Sequence, residues 1–537
     1  LAWEAGQVER QARTTAAVKD FVLDLFQKAN PEYTNGKMPT MRDAVDLGAK
    51  RLDTIPASEP ELRAELQVTL GMIYEQLGMP QQAYDMHAAA LAVLKAHSPD
   101  PLLTVRAERF EAVEVGNLGD FVAAKAFSDD ALDRMHHLRR PPLSDFVHTL
   151  DTANYVAIHR SDLAAQKQLS DEAIAALQAA DADGADVDEE IRAMALAMKA
   201  DYMRKSHDDA SAVEYYKRVW ALKISPQTRS AYGMMLGVSL QNLGRFEEAA
   251  DYLGTTWDST KQVYGESNSR ALRIGQVLVI NEAYAGHIRQ ASEHMASLLD
   301  ASSRQSPPHE DVAAEIRLNY GEMLMSLEQY DRAAEQIQAA IAYCKAHPNG
   351  QADLYAEAES ALGYVELSTN RLADARASFE RSLRIAADHK LPDTSATSAR
   401  LAYAHALQNN LDDALRLAKQ ARDDAIHSSG EKSFDTADVH FFYGRILEMA
   451  ERPREAEAEY RASLASHAAL LPPEGLHFYS AESRFALGKL LALDPRTREE
   501  GRKLLGQAMA LREGTLGADN VHTQEAKQEL AKLASVQ

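Results

Sequence analysis

Cysteine is all but missing from this chain. The single Cys344, inside the apolar stretch IQAAIAYCKAH, excludes an intrachain disulfide and any cysteine-rich metal site. At helical spacing it reads as a small buried core residue, and it leaves the compartment open. Long apolar runs are missing too. Nothing approaches the roughly 18 consecutive apolar residues of a membrane span, and no signal peptide is visible. Basic residues are short: 58 Lys and Arg stand against 80 Asp and Glu, giving a net charge of −22 with no long basic run. That balance argues against a nucleic-acid surface. Also absent are the phosphate loop GxxxxGK[ST], the dinucleotide GxGxxG, the zinc motif HExxH, the esterase GxSxG and paired CxxC. The chain reads as non-catalytic, with no cofactor and no metal expected.

What is present is repetition. The clearest unit is LGMIYEQLGMPQQAYDMHAAAL, from Leu70 to Leu91. Leu70-Gly71, Tyr74 and Leu77-Gly78 describe an apolar helix face ending in a turn. Ala83, His87 and Ala90 open a second helix with small residues at the crossing. This is an αα-hairpin, which cannot bury its own apolar face and must stack on copies of itself.

The copies are there. The small residue opening each second helix recurs at Ala83, Ala124, Ala165, Ala212, Ala249, Ala291, Ala333, Ala375, Ala414, Ala456 and Gly501, and a step of 42 residues occurs four times. About twelve residues earlier stands the small residue of the first helix: Gly71, Gly237, Gly321, Gly363 and Gly444. At Ala112, Ala153 and Ala200 alanine replaces it, and there the spacing drifts to 47 and 37. The small pair lets two helices touch. Leucine at such an alanine should overpack the joint by about 1–3 kcal/mol.

These residues carry a resemblance. Leu-Gly-x-x-Tyr followed by Ala-x-x-x-aromatic-x-x-Ala resembles the tetratricopeptide repeat. A period near 42, against the usual ~34, resembles the long variety of kinesin light chains and bacterial signalling proteins, with connectors such as TKQVYGESNSRAL. The resemblance covers about residues 61–537. It implies an all-α fold, an α-solenoid coiled as a right-handed superhelix. The organisation expected is a membrane-proximal helix and degenerate capping hairpin over 1–60, a divergent block over 61–224, a regular block over 225–515 and a capping helix over 516–537. Within the cap, a helix is expected over 7–29, ended by Asn30-Pro31, then a loop through Gly36 and Pro39. Thr40 caps the next helix, which packs through Val45 and Leu47-Gly48.

A second resemblance lies at the front. VKDFVLDLFQKANPE, MPTMRDAVDLGAKRL and PELRAELQVTLGMIYEQLG, within residues 10–91, are similar to the region after the kinase domain and membrane span of proteobacterial receptor-like Ser/Thr kinases. It implies the extracytoplasmic, periplasmic part of such a kinase, tied to the membrane only by a segment upstream of Leu1. On that reading Leu1-Ala2-Trp3 stands just outside the membrane, at the interface that Trp favours. No kinase motif lies in the chain itself; His159-Arg160-Ser161-Asp162 is one residue too long for the catalytic-loop pattern. The alternative is a cytoplasmic scaffold or transcription-associated regulator.

Two further clusters stand out. The acidic run from Asp181 to Glu190 fails the EF-hand pattern, because Ala185 and Asp186 stand at its fifth and sixth places. It reads as a solvated loop, with a loose cation site as the alternative. His136-His137 with Arg139-Arg140 reads as a charged loop, with a metal or anion site as the alternative.

The groove remains. In the resembled family the first helices line a concave face that holds peptides. The inward positions projected from each Gly or Ala are Arg106, Arg109, Asn154, Arg204, Met234, Gln241, Arg273 and Gln276, then Tyr364, Tyr403, Phe441, Arg445 and Phe485. The family's carboxylate clamp is incomplete, since Val113 and Leu150 stand beside Arg109 and Asn154. The partners expected are a protein or peptide ligand in the groove and, as an option, a second copy of the chain.

Overall fold

In the computed structural model, the described residues are 40–534 apart from 57, 78, 98–100, 305–308, 349–350, 392–393 and 472–476, with isolated positions between 16 and 23. The helix expected over 7–29 falls almost wholly outside them, as do the Asn30-Pro31 turn and Leu1-Ala2-Trp3. Among the described residues every regular element is helical.

Helix α1 (Met41–Arg51) opens on Thr40, whose side chain and that of Asp43 cap each other's backbone N–H in a capping box. Val45 and Gly48 are buried; Leu47, expected beside them, is 40% exposed and points outward.

Four hairpins follow: α2 (Pro60–Gln76) with α3 (Pro80–His97), α4 (Pro101–Asn117) with α5 (Phe121–His137), α6 (Leu143–His159) with α7 (Leu163–Ala182), and α8 (Glu189–Lys205) with α9 (Asp209–Trp220). Seven more are α10 (Pro226–Asn242) with α11 (Phe246–Tyr264), α12 (Ser269–Tyr284) with α13 (Ile288–Ser303), α14 (Glu310–Ser326) with α15 (Tyr330–Ala346), α16 (Ala352–Ser368) with α17 (Leu372–His389), α18 (Ser395–Leu407) with α19 (Leu411–Ser429), α20 (Phe434–Met449) with α21 (Pro453–Leu470), and α22 (Ala481–Ala492) with α23 (Arg498–Leu516). Helix α24 (Val521–Ala534) closes the run. The helices pack as two compact units, residues 1–225 and 226–537.

The two helices of a hairpin are buried differently, and that places them in layers. In α17 the buried residues are Ala375, Ser378, Phe379, Ser382 and Ala386, a single stripe at helical spacing. In α16 they run almost unbroken from Leu354 to Leu367, covering most of the circumference. First helices are therefore the inner layer of the stack and second helices the outer. Cys344 is buried in α15.

The joint works as the spacing implies, with one refinement. A Cβ on Gly363 would stand 2.7 Å from the ring of Phe379, and one on Gly444 would stand 2.6 Å from Tyr460. The glycine thus makes room for the large side chain one turn after the anchoring alanine. Where alanine replaces it, as at Ala402, the residue one turn on is the small Ala418, and both are fully buried.

Between the helices a residue with positive φ turns the chain: Gly119, Ser161, His207, Gly244, Gly286, Glu328, Asn370, Asn409 and Glu451. At Asn370 the ends close through Asn370 N–H to Leu367 O at 3.1 Å and Arg371 N–H to Glu366 O at 2.8 Å.

That turn corrects one register. In α6/α7 the positive φ falls at Ser161 and Gln166 N–H donates to Asp162 O, the bond the anchor makes elsewhere. The anchor is therefore Gln166, which is buried, and not Ala165, which is only half-buried. Its partner in the joint is Asn154, 4% exposed. A search for small residues passes over a polar pair in this place.

The acidic run is spoken for. Asp181 binds Arg192 through both oxygens at 2.7 and 2.9 Å, and Asp188 caps α8. Glu189 and Glu190 accept the backbone N–H groups of Lys223 and Ser225. In the histidine pair, His136 contacts Glu172 at 2.6 Å and His137 the carbonyl of Asp133 at 2.7 Å.

Candidate functional site

On a first helix, side chains six and three places before the joint residue, and one, four and five after it, lie roughly a quarter-turn round from the joint. They form the stripe facing away from the outer layer. In residues 226–537 this stripe carries Arg273, Tyr284, Glu322, Glu357, Tyr364, Tyr403, Asp438, Phe441, Arg445, Glu448, Glu482 and Phe485.

The inner face here is narrowed by contacts between hairpins far apart in the chain. Tyr284, at the end of α12, stacks on Phe434, at the start of α20, with ring centres 4.9 Å apart, and meets Tyr479 edge-on at 6.0 Å. Tyr479 hydrogen-bonds Ser326. One hairpin along, Asn520 Nδ2 donates to Glu328 Oε2 at 2.8 Å across 192 residues, and Arg289 Nη2 donates to Thr515 O at 2.7 Å. The first-to-second-helix turns of α12/α13 and α14/α15 thus rest on the segments leading into α20, α22 and α24. The stack coils back on itself, and its inner face becomes a narrow groove.

Most of the projected cations and aromatics in this groove already have partners. Arg273 binds Glu315 at 2.9 Å and Asp311 at 3.1 Å. Arg445 lies over Tyr403 at 5.4 Å and Phe441 at 5.9 Å. Tyr364 faces Arg400 at 5.3 Å, and Arg400 binds Asp438 at 2.7 Å. Phe485 is buried beneath Arg512 at 4.1 Å, which also grips Glu482 at 2.7 and 2.8 Å. Gln241 donates to Val277 O, and Gln276 accepts from Asn319, each at 2.9 Å, so both tie neighbouring hairpins together. Met234 is half-buried.

In the first unit, Arg106 pairs with Asp145 at 2.9 Å. Among the described residues Arg109 hydrogen-bonds only Thr152, at 3.5 Å; burial pulls its pKa down to about 10 against the pull of Asp145 and Asp151. Asp151 in turn is pushed up to about 6 by burial, with Arg109 opposing. Arg204 lies beside Asp201 and Tyr216, and its Nε is buried without an acceptor among the described residues. Asn154 is closed to solvent in the α6/α7 joint.

The projection left out the carboxylates, although they occupy the same places. Glu322 and Glu357, on consecutive inner helices, are solvent-exposed, and among the described residues neither carboxylate has a hydrogen-bonding or ion-pairing partner. The groove wall strips water from Glu322 and, with Glu357 repelling it, raises its pKa to about 7; Arg400 opposes and Asp435 adds to the rise. Glu357 is raised as well, by burial and then by Asp353 and Asp435. A group both reachable by solvent and poorly hydrated sits in a narrow cleft, not a sealed core. Tyr284 beside it is pushed up to about 12 by burial, Glu322 and Asp435. The cleft therefore offers aromatic surface and two carboxylates short of a cation. The same count of places before and after the joint would have found them.

Residues 278–351 match a family model described as tetratricopeptide repeat, and residues 232–269 match a second model of that repeat. Tetratricopeptide repeats are thus present in this stretch. No curated protein matches the chain. Similar solved structures include the apo form of RapI, at 13% identity over 67% of this chain and 97% of that one, with a TM-score of 0.48. A Rap protein complexed with Competence and Sporulation Factor has 14% identity over 68% and 98%, with a TM-score of 0.49. The apo quorum sensor NprR from B. thuringiensis has 12% identity over 68% and 99%, with a TM-score of 0.45.

Proposed function

We propose that this chain is a non-catalytic binding module whose groove in residues 226–537 holds an extended protein or peptide segment. The observation that carries this reading is the pair Glu322 and Glu357, exposed and, among the described residues, unpartnered, with Tyr284 beside Glu322. A segment with aromatic or aliphatic side chains covers the rings, and one Lys or Arg supplies the missing cation. The full chain, probed on an array of random heptapeptides, should bind basic, aromatic-containing members. Glu322→Gln with Glu357→Gln should weaken them at least tenfold, whereas Glu293→Gln with Glu335→Gln, on the outer helices, should not. Absence of any bound peptide sinks the groove reading; binding indifferent to the inner pair sinks the charge assignment.

The resemblance of residues 10–91 supports a more specific setting: the periplasmic sensor region of a receptor-like Ser/Thr kinase, where ligand capture changes how paired kinase domains signal. Among the described residues no helix is long and apolar enough to cross a membrane. A topology reporter fused after Gln537 tests the setting. Alkaline phosphatase activity supports it, and a reporter active only in the cytoplasm favours the cytoplasmic scaffold instead.

A further inference from the structure

A cavity of 370 Å³ opens where the inner face reaches its last hairpin, walled by α20, α22, α23 and α24. Its size falls in the range of small-ligand sites, about 300–1,000 Å³. Leu490, Leu493, Leu505 and Leu533 supply an apolar lining. Leu493 is 79% exposed, a large apolar side chain left at the mouth with nothing over it.

The polar groups in the wall are unequally served. Glu448 accepts from the Tyr460 hydroxyl at 2.8 Å, and Glu529 accepts from Lys532 Nζ at 2.7 Å. Both carboxylates are therefore engaged. Arg498 Nε, by contrast, is buried with no hydrogen-bond acceptor among the described residues. Among the described residues Lys489 faces only the Phe485 ring, at 5.3 Å. A buried donor without an acceptor is costly, and native proteins seldom leave one. What is missing is an anionic acceptor, in a chain that is otherwise strongly acidic.

We infer that this cavity binds an aliphatic carboxylate, with the apolar chain against Leu490, Leu493, Leu505 and Leu533 and the carboxylate on Arg498 and Lys489. A bare phosphate or sulfate would satisfy the cations and leave the leucines uncovered. An alcohol would do the reverse. Two sources present this chemistry: the C-terminal residue of a peptide ending in Leu, Ile or Val, and a medium-chain fatty acid.

Calorimetry on the full chain separates them. The probes are sodium octanoate, an acetylated tetrapeptide ending in a free-carboxyl leucine, that peptide as its C-terminal amide, and octanol. Binding of octanoate or of the free-acid peptide is expected, with the matched amide or alcohol at least tenfold weaker. Whichever acid binds more tightly identifies the source. Leu493→Ser, at an exposed position, and Arg498→Gln, at a half-buried one, should each cost tenfold or more, and Leu493→Ser should leave thermal unfolding unchanged. Failure of both acids to bind, or binding untouched by the two substitutions, overturns the inference. The readout is independent of Glu322 and Glu357, so octanoate can bind here even if no peptide enters the groove, and the reverse.

Discussion

The ring of Tyr284 lies face to face with that of Phe434, 4.9 Å between centres and 6° between planes, although three whole hairpins separate them in the chain. A linear stack in which each hairpin meets only its neighbours has no such contact. Removing it should loosen the coil without unfolding the hairpins. Truncating a fully buried aromatic costs about 3–5 kcal/mol. Both rings here are half-buried, so Tyr284→Ala should cost about 2 kcal/mol. Hydrogen exchange should quicken around 285–287 and 477–480 and stay unchanged within α4 to α9. Uniform quickening along the chain would show that the stack has no local role.

The hairpins were legible in the sequence because their joint is local. Gly363 meets Phe379, one turn after the anchor Ala375, across a short turn, so a fixed spacing of small residues reports the contact. The same rule slipped by one residue at α6/α7, where Asn154 and Gln166 do the work of a small pair and carry no small-residue signal. The groove was half legible. Spacing put Arg273, Tyr403 and Arg445 on the stripe, but whether a side chain there is free depends on the next hairpin. Arg273 is spent on Glu315, whereas Glu322 has no counterpart among the described residues. The contact between Tyr284 and Phe434 lies beyond any local pattern, because it depends on how small rotations accumulate over several hairpins.

The joint glycines give a sharper test of that local packing. Alanine at Gly363 places a methyl 2.7 Å from the Phe379 ring, and overpacking of this kind costs about 1–3 kcal/mol. The α18/α19 hairpin shows the remedy, since Ala402 there faces Ala418. Gly363→Ala with Phe379→Ala should therefore cost less than the sum of the single changes, by at least about 1 kcal/mol in a double-mutant cycle. Strict additivity in urea unfolding would mean that the two positions do not share the joint.

Buried carboxylates make the first unit sensitive to pH. Glu111 and Glu114, 2% and 1% exposed, have buried oxygens without a close hydrogen-bond partner among the described residues, and both are pushed up to about 7, with Asn117 opposing the rise at Glu114. Burial is the main cause; Glu114 adds to it at Glu111, and Glu75 adds to it at Glu114. Glu108, on the same helix, differs in having Arg134 at 3.0 Å. A carboxylate raised in the folded state favours folding while protonated. Its contribution is full below the unfolded value near 4.5 and is lost as pH climbs towards 7. Glu114→Gln should therefore leave stability nearly unchanged at pH 4.5 and raise it by about 1–3 kcal/mol at pH 8. Thermal unfolding of variant and parent at the two pH values measures the difference, and an equal effect at both would remove ionisation as the cause.

Two ion pairs on the inner face should differ in strength for a reason visible in their surroundings. Arg400 and Asp438 are 26% and 30% exposed, with the guanidinium also over Tyr364, whereas Arg273 and Glu315 are 45% and 32% exposed. Solvent screens the second pair more, and exposed pairs contribute at most about 1 kcal/mol. The first pair is partly desolvated, so losing Asp438 strands a cation that burial already disfavours. A double-mutant cycle on Arg400 and Asp438 should give a coupling of about 1–3 kcal/mol, and that on Arg273 and Glu315 less than about 1. Raising the salt concentration should erode the second coupling faster than the first. The reverse order would mean that the groove around Arg400 is as well hydrated as the outer surface, and the argument for poorly hydrated carboxylates at Glu322 and Glu357 would fall with it.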